Sequence, residues 1–373
     1  MQPATDLNTA MSTLSNGGYC LWVGAGVATH LVGAGSGTDL GWKALTESLE
    51  REASLEAPQF AADYSSRLQV CLSVLGRDRF QVALRGQIYN VLRDQIIAAI
   101  EKRLNFDDPV PKEFRQLSRL GTLAAAIINF NVETWTSHCI ASGGWPYQIK
   151  SFRTVEVKEL TSVLERHGPI TTRFARSVFH PHGAIDISGP CVLTSTDYRR
   201  LSGHLAYQLA VHQAFELDLA IVGMSLDDVY LRQQITDFRD QLGRVLWFTN
   251  RHLDPLKPIK EWAWANQIEV VAVDDAWGDF WQAVDNSLPP GDEASIIPTW
   301  SLLVMKAYRE KRGGGSFSQW ATLHQQHFGP GPTLDNLRRM ARLSGEPPMD
   351  QEITLTETEQ RVYAYLVKYW GRT

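Results

Sequence analysis

The stretch Cys20–Val27, with the sequence CLWVGAGV, joins four apolar residues directly to a Gly-Ala-Gly turn. A continuous apolar run is typical of a parallel strand that is covered on both faces. Glycines let backbone N–H groups approach a phosphate at the N-terminus of the following helix. The stretch therefore predicts a strand of an α/β sheet and a pyrophosphate cradle at Gly24, Ala25 and Gly26. Because Thr29 stands where the dinucleotide fingerprint has its third glycine, a plain turn is the alternative.

The composition is that of an ordinary globular protein. The chain has 373 residues, of which 44% are hydrophobic and 21% charged, enough for one sizeable α/β domain and a smaller unit. Its four cysteines form no C-x-x-C pair, which argues against a disulfide framework or a zinc ribbon and favours the cytoplasm. We expect neither a secretion signal nor a membrane span. The net charge of −5, without long blocks of like charge, argues against direct nucleic-acid binding.

Apolar runs predict five further strands, at Leu123–Ile128, Cys191–Thr194, Leu219–Val222, Val245–Phe248 and Ile268–Val273. Helical patterns lie between them, and the clearest runs from Leu84 to Leu104, with apolar residues on one face. About a hundred residues separate the first two predicted strands, more than a crossover helix needs. We therefore predict a Rossmann-like, doubly wound parallel sheet with a helical insertion over about residues 43–120.

After Leu288 the sequence changes, because proline and glycine pairs interrupt short helical patterns. This change predicts a mostly helical C-terminal appendage over residues 288–373, distinct from a catalytic domain over residues 1–287. Leu355–Glu359 leads into an amphipathic helix with a capping box, which resembles the opening helix of winged-helix domains. The appendage has ten Lys/Arg and nine Asp/Glu, so we favour packing or oligomerisation over DNA binding as its role.

Four polar motifs follow the Gly-Ala-Gly turn, each at or just after the end of an apparent strand. They are IINFN at Ile127–Asn131, FHPHG at Phe179–Gly183, IVGMSLDD at Ile221–Asp228 and FTN at Phe248–Asn250. Doubly wound sheets bind their ligands at the carboxyl ends of the strands. The order and placement of the motifs therefore predict a single site along one edge of the sheet.

Each of these residues also has an ordinary structural explanation. An asparagine at a strand end is most often a turn or cap residue. His182 fits a buried or turn histidine, and His180 competes with it for a functional role. Asp227 and Asp228 fit the cap of the following helix. Trp42 fits a hydrophobic core.

Taken in order, the motifs resemble the signature of the sirtuin-like superfamily: Gly-Ala-Gly, Asn-aromatic-Asp/Asn, His-Gly, Gly-x-Ser and a later Asn. Residues 18–287 are similar in particular to bacterial sirtuin-like domains of antiphage defence. Leu193–Tyr198 and Gly223–Asp228 resemble two further stretches of those domains. Sirtuin deacylases carry four zinc-binding cysteines after the His-Gly dipeptide, whereas the interval from His182 to Gly223 holds one cysteine, so we expect no zinc.

The resemblance implies a zinc-free glycohydrolase that cleaves NAD+ to nicotinamide and ADP-ribose. It implies that Asn129 and His182 are catalytic: Asn129 would hold the water or the ribose hydroxyls, and His182 would act as a base or hydroxyl partner. The remaining NAD+-binding residues it implies, besides Gly24, Ala25 and Gly26, are Asn131 near the nicotinamide, Gly223 and Ser225 near phosphate and ribose, Asn250 at the adenosine ribose, Trp42 at a glycine-rich loop, and Thr29.

The resemblance also implies an antiphage effector that depletes cellular NAD+ in abortive infection. We expect a homo-oligomer, and a HerA-type ATPase or a short Argonaute-like protein as partner. Two alternatives stay open. One is a protein deacylase or ADP-ribosyltransferase that uses the same pocket. The other is a non-catalytic module that senses NAD+ or ADP-ribose, because Asn131 and Ala28 stand where the superfamily has Asp and Ser.

Overall fold

A seven-stranded sheet forms the centre of the molecule. Its strands are β1 (Cys20–Val23), β2 (Ala126–Asn129), β3 (Gln148–Ser151), β4 (Ser177–His180), β5 (Leu219–Val222), β6 (Val245–Asn250) and β7 (Glu269–Val273). Their order is β3-β4-β2-β1-β5-β6-β7, and all neighbouring strands are parallel. The connections change direction at β1, and doubly wound sheets bind their ligands beside such a point, here at the carboxyl ends of β1 and β5. The predicted Rossmann-like α/β fold is confirmed.

The structure, a computed structural model, describes most of the chain. The described residues are 5–32, 40–55, 63–142, 148–151, 177–185, 191–202, 217–226, 228–237, 239–241, 243–250, 257–274, 277–311, 317–330, 332–343 and 354–370. Helices in these ranges are α1 (Leu7–Ser15), α2 (Ala25–Val32), α3 (Trp42–Glu52), α4 (Tyr64–Leu75), α5 (Arg77–Arg103), α6 (Lys112–Thr122), α7 (Trp135–Ala141), α8 (Ser195–Ser202), α9 (Val229–Asp237), α10 (Lys257–Ala265), α11 (Gly278–Ser287), α12 (Glu293–Glu310), α13 (Phe317–Phe328), α14 (Pro332–Leu343) and α15 (Glu357–Trp370).

The sheet separates two apolar cores, and β1 contributes to both. Leu21 and Val23 pack in one core, while Cys20 and Trp22 pack in the other. Successive side chains of a strand point to opposite faces, so a central parallel strand must be apolar at every position. This requirement explains why the continuous apolar run of β1 predicted its bounds correctly.

The helices between β1 and β2 share a core with the C-terminal helices. α5 buries the face predicted from its spacing, including Leu84, Leu92 and Ile100. The Tyr308 hydroxyl of α12 donates to Glu101 Oε1 at 2.9 Å. α15 begins with the predicted capping box, in which the Thr356 N–H donates to Glu359 Oε2 at 2.7 Å. The division of the chain at residue 288 stays a prediction.

Three segments differ from the sequence prediction. Cys191–Thr194 is buried but forms no strand, because the Val192 N–H donates to the carbonyl of His182 at 2.8 Å and Thr194 caps α8. β3 and β4 were not predicted, since QIKS and SVFH contain no continuous apolar run. Among the described helices, none is long and apolar enough to cross a membrane.

Candidate functional site

The turns after β1 and β5 pack against each other through their backbones. The Gly24 N–H donates to the Val222 carbonyl at 3.0 Å, and the Gly26 N–H donates to the Gly223 carbonyl at 2.9 Å. Gly223 has φ +70°, and a Cβ there would lie 2.6 Å from the Val27 nitrogen. Glycine is therefore required at position 223 for both conformation and space. Because the N–H groups of Gly24 and Gly26 serve this contact, a phosphate cradle would rely on the other amides of the first turn of α2.

The end of β2 is tied to the same turn. The Asn131 side-chain Nδ2 donates to the Gly24 carbonyl at 3.2 Å, and the Asn131 N–H donates to Asn129 Oδ1 at 2.9 Å. Asn129 and Asn131 are both buried. The structure thus brings together Gly24, Asn129 and Asn131, as the order of motifs predicted.

His180 closes a buried hydrogen-bond network beneath this edge. Its Nδ1 lies 2.9 Å from the Asn131 carbonyl, and its Nε2 lies 2.7 Å from Ser137 Oγ, which accepts from Asn129 Nδ2 at 2.7 Å. A carbonyl can only accept, so Nδ1 carries a proton; when the ring is neutral, Nε2 accepts from the Ser137 hydroxyl. Both ring nitrogens of His180 therefore serve to hold the end of β2.

His182 lies in a turn directly after β4. The Gly183 N–H donates to the His180 carbonyl at 3.1 Å, and Gly183 adopts φ +73°, which favours glycine after the histidine. The His182 side chain is 2% exposed, and neither ring nitrogen has a hydrogen-bond partner within the described residues. Its ring lies between Phe130 and Tyr198, with both centroid distances 5.2 Å.

The surroundings of His182 keep its imidazole neutral at pH 7. Burial lowers the pKa of His182 to about 4, although the negative charge of Asp228 opposes the shift. A neutral imidazole can accept a proton or a hydrogen bond. Of the two histidines that the sequence left in competition, His182 has the nitrogens that lack a protein partner in the described part of the chain.

The other predicted site residues have mixed surroundings. The Thr29 hydroxyl donates to the Ala25 carbonyl at 3.1 Å, within α2. Trp42 begins α3 and packs, half-buried, against both cores. Ser225 is exposed in the turn after β5, and Asn250 ends β6, the strand beyond β5. The glycine-rich loop expected before Trp42 lies outside the described residues, as does Asp227.

Sequence reasoning missed Ser137 and assigned no role to Tyr198. Asp228 caps α9 as its ordinary explanation predicted, because its Oδ1 accepts from the Tyr230 N–H at 2.9 Å. Its Oδ2 also accepts from the Tyr198 hydroxyl at 2.7 Å, and this second contact reaches the neighbour of His182. The Leu-Thr-x-x-Asp-Tyr stretch contained the signal for Tyr198, whereas Ser137 stands in no motif.

No group of three or more metal-ligating side chains occurs in the described portion of the chain.

Comparison with known proteins identifies part of this edge. No curated protein matches the chain. A family model described as a SIR2-like domain matches residues 156–270, which include His182, Gly223, Ser225 and Asn250. Gly24 and Asn129 lie before the match, but β1 and β2 bring them to the same sheet edge. Residues 156–270 therefore match a SIR2-like domain, which supports a sirtuin-type, NAD-related function.

Proposed function

We propose that this protein hydrolyses NAD+ to nicotinamide and ADP-ribose. The observation that carries the proposal is the buried His182 imidazole, whose two nitrogens have no hydrogen-bond partner in the described chain. A buried polar group without a partner costs about 1–3 kcal/mol. A substrate hydroxyl or a water molecule at the sheet edge would supply the missing partner.

The reaction requires little acid catalysis. The bond between ribose C1′ and the nicotinamide nitrogen breaks, and the cationic nicotinamide leaves as a neutral molecule with the bonding electrons. The water oxygen bonds to C1′ and one proton is released. Neutral His182 would accept that proton or hold a ribose hydroxyl while the bond breaks.

Asn129 would orient the attacking water or the ribose hydroxyls. A side-chain amide has two N–H donors and two acceptor lone pairs. The bonds to Ser137 and to the backbone of residue 131 use one donor and one lone pair. The remaining donor and lone pair have the polarity that a water or a hydroxyl needs. Asn131 would contact the nicotinamide amide from the same turn.

The biological role that fits this activity is depletion of NAD+ during phage infection. We propose that the enzyme stays inactive until it assembles with its own copies or with a HerA-type ATPase or Argonaute-like protein. The proposal rests on the resemblance to defence domains and on the SIR2-like match.

Nicotinamide release and NAD+ binding, measured together, test the proposal. We expect His182→Gln and Asn129→Ala to bind NAD+ and to lose about 100-fold or more of the release rate, the usual effect of losing a proton-transfer group. His324→Gln is the matched control, because His324 is another buried histidine, in α13. A wild-type rate in His182→Gln would contradict the site. Faster removal of acyl groups from a lysine peptide than hydrolysis of NAD+ would favour a deacylase.

A further inference from the structure

Asp228 links three parts of the candidate site. Its Oδ1 accepts from the backbone N–H groups of Tyr230 and Leu231, at 2.9 and 3.1 Å, at the start of α9. Its Oδ2 accepts from the Tyr198 hydroxyl of α8 at 2.7 Å. The carboxylate therefore joins the turn after β5, which holds Gly223, to the helix that packs on His182.

Tyr198 is held by its hydroxyl and by its ring. Its ring stacks on Tyr230 with a centroid distance of 4.7 Å and an interplanar angle of 7°. The Tyr198 ring also contacts the His182 ring, with a centroid distance of 5.2 Å and an interplanar angle of 83°. The backbone of α8 is fixed as well, since Asp197 Oδ2 accepts from the Thr194 N–H at 3.1 Å. A buried tyrosine whose hydroxyl and ring are both held has little freedom to change rotamer.

His182 depends on ring contacts for its orientation. Its ring nitrogens have no hydrogen-bond partner among the described residues, and its ring makes edge contacts with Phe130 and Tyr198. Phe130 is apolar, Tyr198 is the titratable neighbour, and Asp228 is the charged group that acts on the imidazole within the described chain. Phe130 is fixed by the sheet, because its N–H donates to the Val23 carbonyl at 2.9 Å.

We propose that Tyr198 and Asp228 are positioning residues for His182: the hydroxyl–carboxylate bond fixes the tyrosine ring, and the ring fixes the imidazole toward the substrate. The inference rests on the proposed NAD+ hydrolysis.

Tyr198→Phe is the main test, because it removes the hydroxyl and keeps the ring. We expect the kcat for nicotinamide release to fall about tenfold or more while the KM for NAD+ changes less than about twofold, since a misplaced catalytic group slows the chemical step. Tyr308→Phe is the matched control, because it removes another tyrosine–carboxylate hydrogen bond, the one to Glu101. We expect its kcat to equal that of the wild type.

Histidine NMR gives a readout that does not depend on activity. The imidazole resonances of His182 in full-length protein with labelled histidine would be assigned by their loss in His182→Gln. We expect them to shift or broaden in Tyr198→Phe and to stay unchanged in Tyr308→Phe. Asp228→Asn keeps a side chain that can cap α9 and removes the charge, so we expect it to lower the pKa of His182.

The outcomes separate this inference from the proposed function. Unchanged His182 resonances in both Tyr198→Phe and Asp228→Asn would overturn the positioning role. A normal kcat in Tyr198→Phe would also overturn it, whatever the resonances show. If Tyr198→Phe shifts the His182 resonances, but the assembled wild-type protein binds NAD+ and releases no nicotinamide, the positioning link is kept and the hydrolysis is rejected.

Discussion

Replacing Gly223 by alanine tests the contact between the two glycine turns. Gly223 has φ +70°, and an added Cβ would lie 2.6 Å from the Val27 nitrogen, a backbone atom that cannot rotate away. An L-residue in the left-handed region costs about 1–2 kcal/mol. Additional atoms in a packed contact cost about 1–3 kcal/mol. We therefore expect Gly223→Ala to lower the free energy of unfolding by about 2–5 kcal/mol.

Gly329→Ala is the matched control for this substitution. Gly329 follows α13 with φ +73°, and no heavy atom of the described residues lies within 4 Å of an added Cβ. Gly329→Ala should therefore lower the free energy of unfolding only by the conformational cost, about 1–2 kcal/mol. Urea denaturation followed by tryptophan fluorescence measures both losses. Equal losses in the two variants would refute the reasoning that contact with Val27 sets the cost.

The remaining predictions concern buried polar groups. Ser137→Ala should lower the free energy of unfolding by about 2–4 kcal/mol, because Asn129 and His180 both lose their hydrogen bond to the hydroxyl. Ser73→Ala, at an exposed serine, is the control. A loss of stability no larger than that of the control would contradict the network. His182→Phe should raise the free energy of unfolding at pH 7 by about 1 kcal/mol or more, measured in urea, because it removes unpaired buried nitrogens; a loss of stability would contradict this. Acidification should destabilise the protein between pH 6.5 and 4, because the pKa of His182 is about 4 in the folded protein and 6.5 in the unfolded chain, which then binds more protons. The His182 contribution is about 3 kcal/mol. Burial lowers the pKa of His30 to about 4 as well, so His182→Phe should remove part of the acid sensitivity, and an unchanged pH profile would refute the assignment.

The sequence predicted the central strands because their burial leaves a local signature. β1 and β5 are apolar at all four positions, since both of their faces are covered. β4 begins with a serine and ends with a histidine, so its SVFH has no such run. Cys191–Thr194 has the run but lies against His182 instead of pairing with a strand. Apolar runs report burial, and pairing depends on contacts that the local sequence does not contain.

The candidate site divides in the same way. Gly24, Gly183 and Gly223 could be predicted because turns impose conformational or spatial limits on single positions. The choice between His180 and His182 could not be predicted. Ser137, the hydrogen-bond partner of His180, lies 43 residues before that histidine in the sequence. Hydrogen bonds between distant segments decide the chemical state of each imidazole, and no spacing rule reports them.

The two histidines therefore have opposite roles although they are two residues apart. Both ring nitrogens of His180 have protein partners, because Nδ1 lies 2.9 Å from the Asn131 carbonyl and Nε2 lies 2.7 Å from Ser137 Oγ. His182 has no such bonds within the described chain, and burying its two unpaired ring nitrogens lowers the free energy of unfolding. A buried group without a partner calls for an explanation, and the proposed substrate or water supplies one for His182. The imidazole of His180 holds the end of β2, and the imidazole of His182 is the one that we propose meets the substrate.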